Sequence, residues 1–175
     1  MTTTLDTPRI YVASLSDYVS GTLHGTWIDL DETTTADDIH EQTKAMLATS
    51  REPIAEEWAI HDYDNFGSIH LSEYESFERV ASLAAAIAEH GDAFKAWARD
   101  DYRLEHPENF EDAYLGQWDS EEDYARQFID DCGLLNGLSE TLQNYFDYES
   151  YARDMFFDLE SVPDGQGGIY VFDCR

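Results

Sequence analysis

Thirty-eight Asp and Glu residues stand against ten Lys and Arg in this chain, so any fold it adopts must carry 28 net negative charges. A charge of that size ordinarily keeps a chain unfolded, because too little apolar surface remains to offset the entropy lost on ordering. Here 42% of the residues are hydrophobic and 14% aromatic, enough to build a core. Nor is the charge a detachable tail. Acids outnumber bases 11 to 3 in residues 1–60, 11 to 4 in 61–110 and 16 to 3 in 111–175, so folded elements must display the carboxylates.

The sign of the charge narrows the function. A protein that grips phosphates needs a basic footprint to replace released counterions, and an anionic membrane surface makes the same demand. Direct nucleic-acid binding and membrane binding are therefore both excluded. The first seven residues, Met1 to Thr7, show no basic region followed by an apolar one. The most apolar run, Val80 to Ala88, is broken by Ser82 and is far shorter than the ~20 residues that span a bilayer. Cys132 and Cys174 lack paired spacing and read as free thiols of a reducing compartment. The expectation is a cytoplasmic protein.

Patterning divides the chain into three expected modules of an α+β fold: a small α/β module over residues 1–62, a helical module over 63–106 and an acidic α/β module over 107–175. Ile10 to Ala13, Thr26 to Leu30 and Glu57 to His61 are β-prone runs. Between the last two, Thr35 and Asp38 form a capping box ahead of Ile39, Met46 and Leu47. Ser72 and Glu75 predict the start of a second helix, with Gly91 as its stop and Asp92 capping a further short one. In the last third, Tyr124, Phe128, Ile129 and Cys132 mark the buried face of a helix over Asp119 to Gly133. Asp147 caps another helix, and Ile169 to Phe172 reads as a closing strand.

Duplex DNA carries one negative charge per ~1.7 Å of axis, so 28 charges match roughly 48 Å of duplex. A compact chain of this length is ~40 Å across. Its linear charge density therefore rivals that of DNA. Acids three or four apart on a helix stand ~5 to 6 Å from each other, a spacing that permits phosphate-like rows without requiring them. Strong acidity also describes a salt-adapted protein with no special partner. The sharpest competing motif is calcium binding: residues 62–73 match an EF-hand loop at Asp62, Asp64, Gly67, Ile69 and Glu73. They fail at Phe66, which offers no side-chain oxygen, and the residues before Asp62 read as a strand. The six histidines show no metal-ligand spacing, and neither a phosphate loop nor a nucleophile elbow occurs. The expectation is a protein that is not an enzyme and uses neither cofactor nor metal.

Four stretches together resemble the ArdA family of antirestriction proteins, which mobile elements and plasmids encode. They are Ile10–Tyr18 with Leu23–Asp29, Glu56–Tyr63 with Leu71–Glu75, Phe110–Tyr114 with Trp118–Ala125, and Tyr145–Glu149 with Tyr151–Asp154. The segment after Asp154 departs from the family pattern, being only Met155 to Glu160 before the last strand. The resemblance implies an elongated, curved chain of small modules that pairs as a homodimer. It implies that the carboxylates imitate bent B-form DNA and occupy the DNA groove of type I restriction-modification enzymes, chiefly the methyltransferase core. The expected DNA-mimic surface is an ensemble: Glu111, Asp112, Asp119, Glu121, Glu122, Asp123, Asp130, Asp131, Glu140, Asp147 and Glu149, extended by Asp62, Asp64, Glu73 and Glu75. Phe110, Tyr114 and Tyr145 are candidate dimer contacts, since aromatics are enriched at interface cores; an intramolecular core explains them equally well.

Overall fold

A computed structural model describes residues 7–175. The reading of Met1 to Asp6 as free of a secretion signal lies outside the described residues. Helices and small antiparallel sheets alternate, the α+β arrangement of small modules expected. By its internal contacts the chain divides into two compact units, Met1–Pro107 and Glu108–Arg175.

In the first unit, strands β1 (Arg9–Ser14), β2 (Gly25–Asp29) and β3 (Trp58–Asp64) form an antiparallel sheet in the order β2-β1-β3. β1 is central because it is the most apolar of the three: Ile10, Val12 and Ala13 are fully buried, and Ile10 pairs with Ile28 on one side and Tyr63 on the other. The short helix α1 (Leu15–Val19) follows β1 directly. Helix α2 (Ala36–Leu47) starts at the expected capping box, with Thr35 accepting from the Asp38 amide and the Asp38 carboxylate bonding back. It buries Ile39, Thr43 and Met46, spaced to place one stripe against the sheet.

Helix α3 (Phe77–Trp97) starts later than the sequence predicts. Ser76, not Ser72, is its N-cap, because the Glu73 carbonyl is engaged by the Ile60 amide at 2.8 Å and Ser72–Glu75 closes a turn instead. Gly91 interrupts the helix at φ 62°, ψ −142°, a conformation essentially confined to glycine. The break separates Val80, Leu83, Ala84 and Ile87 from Phe94 and Trp97, all buried. Helix α4 (Asp101–Glu105), capped by Asp100, ends the unit.

The EF-hand alternative fails here. Asp62 and Asp64 end strand β3 where that motif needs the exit of a helix. Phe66 is 1% exposed in the core, and Asp64 pairs with Arg9 at 2.8 Å. Among the described residues, Asp62, Asp64 and Glu73 do not converge as a ligand group.

In the second unit, α5 (Phe110–Ala113) leads into β4 (Tyr114–Trp118), a strand the sequence reading did not resolve. Helices α6 (Glu121–Cys132), α7 (Glu140–Gln143) and α8 (Tyr148–Met155) precede the hairpin of β5 (Leu159–Pro163) and β6 (Ile169–Asp173). The sheet order is β4-β6-β5, all antiparallel. The segment Met155 to Glu160 thus runs straight from α8 into β5. β6 is central and buries Tyr170, Val171 and Phe172, while α6 and α8 contribute Ala125, Ile129 and Ala152. Cys132, expected on the buried face of α6, is exposed, as is Cys174; Gly133 ends the helix in the left-handed conformation directly after it.

Candidate functional site

The acids of the second unit are organised by helix α6. Ser120 caps it, accepting from the Asp123 amide at 3.1 Å and donating to Asp123 Oδ2 at 2.8 Å. Glu121, Glu122 and Asp123 fill its first turn, where unsatisfied amides and the helix dipole favour anions. Ala125 and Ile129 fix the buried side. Asp123 and Asp130, seven residues apart, therefore share the opposite, exposed side about 10.5 Å from each other along the axis.

That side overlooks an open hollow of about 890 Å³ whose lining includes Asp119, Asp123, Arg126, Asp130 and Asp164. Sequence reasoning passed over Asp164, which sits in the β5–β6 turn and accepts from the Gln166 amide at 2.7 Å, the Gly168 amide at 2.9 Å and Gln117 Nε2 at 2.5 Å. The Gln166 amide and then Gln117 hold its carboxyl below the ordinary range. The signal available was the Asp-Gly-Gln-Gly-Gly turn itself, in which an aspartate accepts from backbone amides a few residues on.

A second hollow, about 550 Å³, lies beside the start of α8 and is lined by Glu121, Glu122, Asp147, Glu149 and Arg153, among others. Asp147 caps α8, accepting from the Ser150 amide at 3.0 Å and Ser150 Oγ at 2.7 Å, and these bonds, the amide first, lower its pKa. Carboxylates held down in this way stay anionic at neutral pH, which suits steady charge display better than proton transfer.

The expected ensemble is not uniform. Glu122 is paired with Arg126, whose guanidinium lies 3.9 Å over the Tyr148 ring. Glu121 accepts from Ser161 Oγ at 2.6 Å, and Asp131 from Gln127 Nε2 at 2.8 Å. Asp119, Asp130, Glu140 and Glu149 are exposed, and their carboxylates form neither a hydrogen bond nor an ion pair among the described residues. Glu111 and Asp112 are exposed on α5. In the first unit, Asp62 and Glu73 are exposed, Asp64 is tied to Arg9, and Glu75 lies 3.7 Å from Arg79.

The aromatic candidates separate as well. Phe110, 2% exposed, stacks on Tyr114 at 5.1 Å and packs against Phe172 at 6.2 Å. Phe110 therefore has no surface left for a partner; the closing strand has drawn it into the unit's own core. Tyr114 lies half-buried in the same cluster, 5.7 Å from Phe172. Tyr145 is 83% exposed, and Leu134, Leu138 and Leu142 nearby in sequence are exposed as well.

Fold and surface define a small α+β protein whose capping and turn hydrogen bonds hold anions outward. No helix among the described residues is long and apolar enough to cross a membrane. A family model described as antirestriction protein (ArdA) matches residues 10–168, and the chain belongs to that family. Membership supports an antirestriction function and, with it, an interaction with restriction enzymes. No curated protein matches the chain.

Proposed function

We propose that this protein is a DNA mimic that competitively occupies the DNA groove of type I restriction-modification enzymes, chiefly their methyltransferase core, within the cytoplasm. The observation that carries the reading is the pair of carboxylate-lined hollows flanking α6, built on capped helices and a turn rather than on a loose acidic tail. A groove shaped for phosphates meets Asp119, Asp123, Asp130 and Asp164 on one flank and Glu121, Asp147 and Glu149 on the other. Charge complementarity speeds encounter, and mutual exclusion with DNA produces the inhibition. The mechanism makes and breaks no bond and needs no cofactor. Exposed Tyr145, with Leu134, Leu138 and Leu142, supplies the apolar contact of a homodimer, since Glu140 is the one charged residue between Gly133 and Phe146.

A competition titration tests the reading. The protein should bind a purified type I methyltransferase tightly at low salt, lose affinity steeply as salt rises, and be displaced by excess duplex DNA. Binding untouched by DNA would overturn mimicry, and absence of binding would leave the acidity to salt adaptation.

A further inference from the structure

The pairing of the first sheet sets six side chains on one face. Arg9 of β1 stands opposite Asp29 of β2 and Asp64 of β3; two residues further along, Tyr11 stands opposite Trp27 and Asp62. Residues directly opposed across strands share a face, so these two rows lie together on the side away from the buried Ile10 and Ile28. Contacts tie the rows to each other. The Tyr11 and Trp27 rings are 5.4 Å apart, and the Arg9 guanidinium lies 4.4 Å over the Trp27 ring while donating to Asp64 Oδ2 at 2.8 Å. Trp27 is nevertheless 39% exposed, and Asp29, Asp62 and Asp64 are exposed beside it. The Asp29 carboxylate forms neither a hydrogen bond nor an ion pair among the described residues, although Arg9 stands opposite it. Three carboxylates against one guanidinium leave this face doubly negative around an open indole.

We infer that this sheet face receives an arginine side chain of the restriction enzyme, its guanidinium stacked on the open part of Trp27 and paired with Asp29. The fold already holds the same contact internally, since Arg9 stacks on Trp27 and pairs with Asp64. Trp27 and Asp29 are two residues apart on one strand, so their side chains stand ~7 Å from each other on this face, close enough for one guanidinium to meet both. Charge and shape select the occupant. A doubly negative face attracts a cation, and a planar guanidinium both stacks on a ring and forks onto a carboxylate, whereas a lysine ammonium does so less well. Arginine is also the side chain that phosphate-binding sites favour. The inference rests on the proposed mimicry and adds a stacking contact that a phosphate does not make. Carboxylates alone attract basic proteins in general, whereas a ring face in contact with a cation adds attraction that salt screens less than it screens separated charges.

The test compares the native protein with Trp27→Leu, Trp27→Phe, Asp29→Asn and the double variant Trp27→Leu, Asp29→Asn against a purified type I methyltransferase, from about 50 mM to 500 mM salt. Trp27→Leu keeps apolar area but loses the ring face, and should bind about fivefold more weakly with an unchanged salt slope. Trp27→Phe keeps a ring and should recover most of that loss. Asp29→Asn should lower the salt slope by about 0.9. Because one guanidinium meets both residues, the double variant should lose less than the product of the two single losses. Native-like binding by Trp27→Leu, an equal loss in Trp27→Phe, or fully multiplicative losses overturn the inference. Each of these leaves mimicry standing as long as duplex DNA displaces the native protein. If Trp27→Leu lowers the melting temperature, Asp29→Asn decides, since that side chain is exposed and unpaired; a native salt slope there overturns the inference. If the native protein binds no methyltransferase at any salt, mimicry and this inference fall together.

Discussion

Replacing Asp119, Asp123 and Asp130 by asparagine removes three anions from one hollow while keeping the side-chain shapes. The fold should tolerate this. Asp123 and Asp130 stand about 10.5 Å apart on α6, where two charges in water repel by only ~0.4 kcal/mol before screening, and the amide oxygen of an asparagine in place of Asp123 can still accept from the Ser120 hydroxyl. Binding should not tolerate it. Each anion that meets a cation contributes about 0.9 to the slope of log K against log salt, by analogy with a phosphate. Three lost contacts therefore lower the slope by up to about 2.7, which is roughly 500-fold weaker binding at 0.1 M salt and almost no difference extrapolated to 1 M. One substitution alone costs about eightfold at 0.1 M. The assay is a titration of labelled methyltransferase at five or six salt concentrations, with melting temperature as the control. A uniform loss at all salts, with the slope unchanged, would refute the assignment of these residues to the charge-matching surface.

Three further outcomes follow from the same geometry. Ser120→Ala removes the α6 cap and should cost about 1 kcal/mol, lowering the melting temperature by about 4–8 °C if the 68 residues of the second unit unfold alone; calorimetry showing the native midpoint would contradict the cap's role. Gly25→Ala places a Cβ 2.5 Å from the Val12 carbonyl oxygen and 2.8 Å from the Tyr11 ring, and should destabilise the first sheet by about 2 kcal/mol in urea unfolding; a native midpoint would mean the strand pair yields there. Asp38, Asp147 and Asp164 are held below the ordinary carboxylate range, by the Thr35 hydroxyl, the Ser150 amide and the Gln166 amide respectively. Their contribution to stability is complete above the unfolded value of about 4 and disappears as pH falls through the lower folded values. Melting temperatures measured from pH 6 to pH 2 should therefore fall less steeply for Asp164→Asn than for the native protein, and identical profiles would count against that residue.

Local chemistry was legible where it depends on neighbours three or four residues away. The Thr35–Asp38 box, the Asp147 cap, the interruption at Gly91 and the strands around Ile10, Ile28 and Ile169 all appear as expected. β4 and β5 were not legible. Tyr114–Trp118 contains Gly116 at φ 109° and a register shift against β6, and Leu159–Pro163 mixes Glu160 and Pro163 into a five-residue run; both strands exist because β6 lies between them. The Ser72 cap gave way to Ser76 for a similar reason, since β3 had claimed the Glu73 carbonyl.

Charge behaves in the same two-level way. Residue types alone settled that this protein carries 28 surplus anions over its whole length, because ionisation at neutral pH is a property of each side chain. Which anions stand free, as Asp119 and Asp130 do, which are tied up, as Asp64 and Glu122 are, and whether Phe110 faces a partner or its own core were decided only by the folded chain, mostly through contacts between residues far apart in sequence. Those contacts come from packing helices and strands around a few buried side chains, and no local pattern encodes them.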